Sequence, residues 1–471
     1  MSGNDLCFTP AVELAADIRR KRLSPVDLMA AVLHRIEAHE PAINAFATLL
    51  PEQAMAAARL AESSAARGEI AGPLHGVPIT IKDLTSVRGV PMESGSWTRK
   101  GLVPDVDAPL VTRLRDAGAI ILGKTTTSEF GWAGVSRSPL TGITHNPWRQ
   151  GYNAGASSAG AGAAAAAGFG PLHQGSDGAG SIRMPAHFCG VFGLKPSYGR
   201  VPQHPVSTGD LTSHAGPMTR SVADAALMLK VMSGPHSWDF TSLEGSPADY
   251  LGRIGEGIAG KRIAFSPDLG HARVDPEVAE IVRSAVDDFG KGFGLPIEAV
   301  VPAWGPAGPE IGRFFWTAHM SRHEALLEEW GQRLDPGLAA CVRAGAGITM
   351  PAYQMMRERK YAYIRDIHVF FENWDFLLTP AVSVPAFPAE QLQPSDWPQH
   401  AWDWLAWAEF SYPFNMSGSP AASVPCGFTR DGLPVGLQII GRRFDDLGVL
   451  QTAAAFEALC PWSDKRPPLP S

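Results

Sequence analysis

Two glycine-rich stretches, Gly155-Ala-Ser-Ser-Ala-Gly160 and Gly175-Ser-Asp-Gly-Ala-Gly-Ser-Ile-Arg183, carry the most information about how this chain folds. The surrounding residues 151–199 are dense in Gly, Ala and Ser, a composition typical of flexible linkers. Two features argue against a linker: charged residues stand among apolar ones, and Ala161 to Ala167 is a strong helix-forming run. This part of the chain therefore predicts a packed core in which backbone segments approach one another closely.

Helix and strand patterns alternate on the N-terminal side of this core. Ser24 followed by Pro25 predicts a helix start, with a hydroxyl cap and a proline in the first turn. Residues 76–82 alternate in the manner of a short strand that delivers Lys82 at its end, and residues 109–122 predict a helix and then a strand. The alternation predicts an α/β layered sheet, in which sites gather at the carboxyl ends of the strands.

Composition excludes several classes of protein. The 471 residues are 45% hydrophobic and 18% charged, and the net charge of −7 gives no reason to expect a nucleic acid or a membrane as partner. The five cysteines are scattered without a CxxC pair, which predicts reduced thiols and a cytoplasmic protein. No signal peptide or membrane span is indicated. Because neither a Cys/His cluster nor a phosphate loop is evident, we predict no metal and no other cofactor.

Seven further blocks accompany the two glycine-rich stretches. They are Pro73–Asp83, Leu122–Thr125, Glu129–Trp132, His145–Trp148, Pro185–Arg200, Pro413–Asn415 and Gly432–Gly441. Together with those stretches they resemble the amidase signature family. The resemblance spans nearly the whole chain and is weakest between about residues 235 and 400.

The resemblance implies a single large layered domain with a central mixed β-sheet covered by helices. We expect four segments within residues 1–471: N-terminal helices (1–70), the catalytic core (71–235), a variable substrate-pocket region (236–410) and a C-terminal return to the core (411–471). The resemblance is also compatible with a homodimer, although the sequence leaves the oligomeric state open.

The catalytic residues of the family correspond to Lys82, Ser157 and Ser181, and the separations of 75 and 24 residues agree with the family's arrangement. A serine hydroxyl needs a base, and a lysine can serve if burial keeps its amine neutral. The resemblance implies that Ser157, after a cis peptide bond, relays the proton between Ser181 and Lys82. Asp83 next to the lysine is expected to oppose the effect of burial by raising the lysine pKa.

Small residues lead into Ser181. Gly178, Ala179 and Gly180 let backbone N–H groups turn toward one point, which predicts an oxyanion hole. The family usually has two glycines where this chain has Ala179 and Gly180. Asp177 and Arg183 flank the nucleophile; the family resemblance implies a buried pair that holds the loop, and a plain surface salt bridge is equally consistent with the sequence.

We assign Ser158 and Trp132 to substrate binding. Trp132, residues 314–316 and residues 402–407 could line an apolar pocket, although tryptophan-rich segments are more often core. The predicted reaction is hydrolysis of a C–N bond in a small-molecule amide, anilide, hydrazide or carbamate with an aromatic or apolar group. The sequence does not decide among these substrates.

Three rival functions have some support in the sequence. The stretch Gly160–Ala165 imitates a dinucleotide-binding fingerprint, but the preceding residues 146–153 are loop-like rather than a strand. His323-Glu324 lacks the second histidine of a metal hydrolase motif. The remaining rival, which has the same fold, is the ammonia-supplying component of a glutamine-dependent amidotransferase, a protein that works bound to partner subunits.

Three other residues could take part in a different mechanism. Cys189 is a rival nucleophile, but its surroundings predict packed core, where cysteine behaves as a small hydrophobe. His75 and His187 are rival bases, although such histidines are more often structural donors. A binding protein without catalysis is disfavoured because Lys82, Ser157 and Ser181 are all present.

Overall fold

An eleven-stranded mixed β-sheet forms the centre of the computed structural model, which describes residues 6–469. The strands are, in chain order, β1 Phe46–Leu49, β2 Pro78–Lys82, β3 Ile120–Thr125, β4 Arg137–Ser138, β5 Gly142–Ile143, β6 His145–Asn146, β7 Arg149–Asn153, β8 Leu172–Asp177, β9 Phe192–Lys195, β10 His214–Thr219, β11 Ile263–Phe265, β12 Ile297–Ala299, β13 Phe376–Pro380, β14 Ala421–Phe428 and β15 Pro434–Gly441. The order in the sheet is β1-β3-β2-β8-β10-β9-β14-β15-β13-β11-β12, and β4-β5 and β6-β7 form two small hairpins.

Helices connect and cover these strands, which confirms the predicted fold class. The α-helices within the described residues are α1 Ala11–Arg19, α2 Pro25–Ile43, α3 Pro51–Ala66, α4 Pro109–Asp116, α5 Ala159–Ala167, α6 Arg183–Cys189, α7 Val222–Met232, α8 Tyr250–Arg253, α9 Pro276–Phe293, α10 Gly308–Met320, α11 Leu326–Trp330, α12 Pro336–Ala346, α13 Met350–Asn373, α14 Tyr412–Met416 and α15 Asp446–Leu459. None of them is both long and apolar enough to cross a bilayer.

Three neighbouring strands bring the candidate site together. β2 runs parallel to both β3 and β8. Because parallel strands end at the same edge of a sheet, Lys82, Thr125 and Asp177 lie at one edge. Ser181 follows Asp177 by four residues, so the same edge also carries the second glycine-rich stretch.

Local sequence explains where the predicted elements begin. The Ser24 side chain accepts hydrogen bonds from the N–H groups of Val26 and Asp27 and so caps α2, as predicted. The alanine run forms α5, and all nine of its residues are buried. At Gly155 φ is +75°, and a Cβ there would lie 2.5 Å from Cα of Pro185, so this position demands glycine.

Packing around Gly160 excludes a dinucleotide site at the start of α5. The loop expected over residues 146–153 is wrong, because these residues contain β7, which pairs with β6 in a hairpin. A Cβ at Gly160 would lie 2.0 Å from the Ala45 carbonyl oxygen. Gly160 therefore serves close packing of α5 and leaves no space at this point for a phosphate.

The middle of the chain is part of the same sheet. Strands β11, β12 and β13 come from residues 236–410 and continue the sheet beyond β15. Many aromatic side chains of this region pack in one large apolar cluster, in which Trp404 and Trp407 are fully buried. Others, such as Phe265 and Phe289, belong to a second cluster. The four-segment division made from the sequence stays a prediction.

Candidate active site

Lys82 is a buried lysine without a carboxylate in contact. Its Nζ lies 2.7 Å from Ser157 Oγ, 2.9 Å from Ser158 Oγ and 3.0 Å from Ser176 Oγ, and it also donates to the Ser176 carbonyl at 3.3 Å. The side chain has no exposed surface. Hydroxyl oxygens can accept from an amine whether it is charged or neutral, so this shell holds the lysine in place without fixing its charge.

Burial lowers the pKa of Lys82 to about 7, and the charge of Asp177 opposes this shift. The expectation that Asp83 would raise the lysine pKa is wrong. The Asp83 carboxylate is paired with Lys124 at 3.3 Å and accepts the Ser94 N–H at 2.7 Å. The nearest residue in sequence is thus engaged elsewhere, and near neutral pH Lys82 can hold or release a proton.

Ser157 and Ser181 stand at the wall of a cavity beside Lys82. The peptide bond between Ala156 and Ser157 is cis, as predicted. The loops of the two serines are tied by a hydrogen bond from Ser158 N to Ser181 O at 3.2 Å. Of the contacts that the predicted relay requires, the structure has the one between Lys82 and Ser157, whereas the Ser181 hydroxyl has no hydrogen-bond partner among residues 6–469.

Asp177 and Arg183 form a fully buried pair, which decides between the two arrangements left open by the sequence. The guanidinium donates to both carboxylate oxygens, at 2.9 and 3.0 Å. Arg183 also donates to Gln438 at 2.7 Å, and Asn415 donates to Asp177 at 2.8 Å. Burial alone would raise the pKa of Asp177, but Arg183, Lys195 and Asn415 together hold it far below its usual range. The pair fixes the loop that carries Ser181.

The backbone amides before Ser181 divide into two kinds. Gly180 donates its N–H to Asp177 Oδ1 at 2.6 Å, so the prediction that it serves an oxyanion is not met in this structure. The amides of Gly178, Ala179 and Ser181 have no acceptor within the part of the chain that the structure describes. At Gly180 φ is +110° and a Cβ would lie 2.7 Å from Ser411, which explains the glycine.

The cavity has a volume of about 410 Å³, and Ser157, Ser176, Gly178 and Ser181 form one part of its wall. A side pocket of about 70 Å³ adjoins it and shares Gly178 and Trp316 with it. The side pocket is mainly apolar. Its apolar lining includes Ala179, Phe315, Trp316, Leu405, Tyr412 and Met416.

Both residues assigned to substrate binding lie outside these cavities. Trp132 is 1% exposed; a Cβ on Gly337 would lie 2.4 Å from its ring, and Trp404 Nε1 donates to its carbonyl oxygen at 2.8 Å. Ser158 is fully buried, and its hydroxyl bonds Lys82 and the Ser176 backbone. Trp132 is core, and Ser158 is part of the lysine shell.

Several cavity residues were missed from the sequence. They are Arg99, Phe130, Gln203, His319, Arg322 and His323. Only Trp316 and Phe315, among the aromatic residues proposed for a pocket, line one. The sequence held one signal for Phe130: it lies two residues before Trp132, inside a block that resembles the family, and could have been predicted to line the pocket.

The rival catalytic residues are bound elsewhere. Burial raises the pKa of the Cys189 thiol far above its usual value, and the thiol donates to the Ala154 carbonyl. His187 accepts from Gly436 N and contacts the Val384 carbonyl, and burial lowers its pKa to about 4. His75 contacts backbone groups of Ala61 and Ala71 through its two ring nitrogens. All three fill structural roles.

Known proteins resemble this chain along its length. The sequence profile of the amidase family matches residues 27–302 and 308–450. An acylamidase of Rhodococcus erythropolis is 40% identical, covering 99% of this chain and 98% of that protein. A component of the glutamyl-tRNA(Gln) amidotransferase of Chloroflexus aggregans is 34% identical, covering 95% of each. The crystal structure of a bacterial aryl acylamidase belonging to the amidase signature enzymes matches with a TM-score of 0.90 at 27% identity, over 97% of both chains.

Proposed function

The chain belongs to the amidase family and is a hydrolase of amide C–N bonds, and from this premise we propose that Ser181 is its nucleophile, with Ser157 as proton relay and Lys82 as base. The observation that carries the proposal is the contact of 2.7 Å between Ser157 and a fully buried lysine amine with a pKa of about 7. A general base is most effective when its pKa lies near the working pH.

The reaction begins with the neutral Lys82 amine. The amine takes the Ser157 proton while Ser157 takes the proton of Ser181, whose oxygen attacks the substrate carbonyl. The negative oxygen of the tetrahedral intermediate accepts from the amides of Gly178, Ala179 and Ser181. Lysine returns the proton through Ser157 to the departing nitrogen, which leaves an acyl-enzyme on Ser181. Water then attacks this ester along the same relay and releases the acid.

We propose that the substrates are acyl amides with an aromatic or other apolar group. The side pocket beside Gly178 and Ala179 supports this, because its apolar wall favours an apolar group over a hydrated one. The relatives named acylamidase and aryl acylamidase agree with it. Trp316 belongs to both cavities and is the residue we expect to contact such a group.

A role within an amidotransferase complex is the weaker alternative. Its support is the 34% identity to the Chloroflexus protein. Glutamine carries an ammonium group beside its carboxylate, and none of the described residues that line the main cavity is an aspartate or glutamate that could pair with it. Asp210 lines the adjoining side pocket, but it is already paired with Lys360 at 2.8 Å. Glutaminase activity exceeding every anilide activity, or an obligate partner protein in a pull-down, would favour this alternative.

The experiment that tests the proposal is a substrate panel of chromogenic anilides, aryl amides, esters and carbamates, together with acetamide and glutamine. We expect the highest kcat/KM for an aryl or apolar acyl amide. A higher kcat/KM for acetamide or glutamine would refute the apolar preference. Homodimer formation and a cytoplasmic location stay predictions; sedimentation equilibrium on the purified chain tests the first.

A further inference from the structure

The main cavity has a cationic wall that the hydrolysis mechanism does not use. Arg99 and Arg322 both line it. Neither guanidinium forms an ion pair with a carboxylate anywhere in residues 6–469, and the described residues of the cavity lining include no acidic side chain. Both arginines are exposed, so their charges are open to a ligand that enters the cavity.

Neutral neighbours orient Arg322. Its Nε donates to His323 Nε2 at 3.0 Å, and its Nη1 contacts His319 Nε2 at 2.9 Å and Thr208 Oγ1 at 3.2 Å. Its Nη2 has no hydrogen-bond partner among the described residues. The guanidinium is therefore held in place by groups that leave its charge uncompensated and one donor edge open.

The two histidines do not add charge to this wall. Burial, together with the Arg322 charge, lowers the pKa of His323 to about 4 and holds the pKa of His319 well below its usual value. Both imidazoles are neutral near pH 7 and act toward Arg322 as acceptors. The positive charge of the wall therefore comes from the arginines.

Phe130 links the two cations. The Arg99 guanidinium lies over its ring at 5.6 Å, and the His323 ring stacks on it with centroids 4.4 Å apart. Because His323 also accepts from Arg322, one contiguous set of side chains joins Arg99 to Arg322. A planar anion with two oxygens is the group that such guanidinium donors bind best.

We propose that the preferred amide carries a carboxylate, which Arg99 and Arg322 bind while the scissile bond lies at Ser181. This rests on the proposed function, since it takes the cavity beside Ser181 as the substrate site. The apolar side pocket and the cationic wall together define the class as amides with an apolar group and a carboxylate. Glutamine is disfavoured, because its ammonium would face the same cations.

Binding to a Ser181→Ala protein, measured by calorimetry, tests the proposal without turnover. Two matched ligand pairs place the charge on either side of the amide: para-acetamidobenzoate with neutral para-acetamidoacetophenone, and succinyl para-nitroanilide with neutral levulinyl para-nitroanilide. We expect the carboxylate of at least one pair to bind about ten-fold more tightly than its neutral partner. The preference should shrink as salt is added.

Variants in the same background identify the groups responsible. Arg322→Gln should reduce the preference about ten-fold, and Arg99→Gln should reduce it in the same direction. Lys100→Gln is the matched control, since it removes one positive charge next to Arg99 from a side chain that lies on Trp97 and does not line the cavity. Arg322→Glu should reverse the preference.

Two results would overturn the proposal: a preference below about two-fold in both pairs, or an equal reduction by Lys100→Gln and Arg322→Gln. Neither depends on turnover. If the wild-type enzyme hydrolyses no amide of the panel, the proposed function fails while the binding preference still decides whether the cavity selects a carboxylate.

Discussion

Lys82 and Lys124 are two buried lysines at the ends of adjacent parallel strands, β2 and β3, and their surroundings differ in one respect. Lys124 is paired with a carboxylate, Asp83, at 3.3 Å. Lys82 contacts only hydroxyl groups and one carbonyl oxygen. Burial lowers the pKa of both. At Lys82 only the charge of Asp177, which is not in contact, opposes the shift, whereas at Lys124 both the charge and the hydrogen bond of Asp83 oppose it. Lys124, which has a counter-ion, is therefore a structural lysine, whereas Lys82, which has none in contact, is suited to accept a proton.

The largest expected effect follows from this difference. Lys82→Met should lower kcat/KM about 10⁴-fold, because no other group is positioned to take the Ser157 proton. Lys124→Met should leave most activity in the folded fraction, since it touches neither serine. Steady-state kinetics on both proteins, with circular dichroism to confirm folding, makes the comparison. A Lys82→Met variant that retained most of its activity would contradict the role of Lys82 as base.

Two of the serines that contact the Lys82 amine, Ser157 and Ser158, should differ in their effect on activity. Ser157→Ala should lower kcat/KM about 10³-fold because it breaks the proton path. Ser158→Ala is the matched control: it removes a neighbouring hydroxyl from the same amine but lies outside the path, so its loss should be far smaller. The double variant Lys82→Ala/Ser181→Ala should be little worse than either single, since groups that act as a unit are non-additive. Equal losses at Ser157 and Ser158 would contradict the relay.

Stability should change in opposite directions at the two lysines. Lys124→Met leaves Asp83 buried without its partner and should destabilise the fold by about 3 kcal/mol. Lys82→Met should stabilise it, because the folded state depresses the lysine pKa from 10.5 to about 7. The unfolded chain keeps that proton up to the higher pH. The free-energy cost of burying Lys82 is therefore largest below pH 7 and decreases toward zero as the pH rises to 10.5. Denaturant unfolding at several pH values measures both; a destabilised Lys82→Met at pH 7 would be the contrary result.

The smallest expected effect concerns the substrate pocket. Trp316→Ala should raise KM for aryl amides about ten-fold through lost apolar contact. Phe314→Ala is the control, since Phe314 lies on the same helix, α10, but does not line either cavity. Michaelis constants for an aryl and a short aliphatic amide separate the pocket effect from a general loss. Equal changes in KM in both variants would show that Trp316 has no specific role in substrate recognition.

The sequence predicted those features of the site that depend on neighbouring residues in the chain. Strand β2 ends at Lys82, the run Ala161 to Ala167 is helical, and the cis bond precedes Ser157, all as expected. The convergence of these residues followed from parallel strands sharing an edge. Even so, their catalytic roles stay predictions until they are tested.

What the sequence did not predict depends on distant parts of the chain and on backbone direction. Phe130 has a φ of 51°, an uncommon backbone angle for a residue other than glycine. In that turn Phe130 lines the cavity while Trp132 packs in the core. Arg322 reaches the cavity from the short turn that follows α10, more than a hundred residues beyond Ser181. No local pattern encodes such a contact.

The rate at which a fluorophosphonate labels Ser181, followed against pH by peptide mass spectrometry, tests the central claim most directly. The neutral amine is the base, so the rate should rise with pH to a plateau with a midpoint near the Lys82 pKa of about 7. Lys82→Met should abolish this rise, and Lys124→Met should preserve it. Labelling at another residue such as Cys189, or a Ser181 rate that Lys82→Met leaves unchanged, would contradict the account.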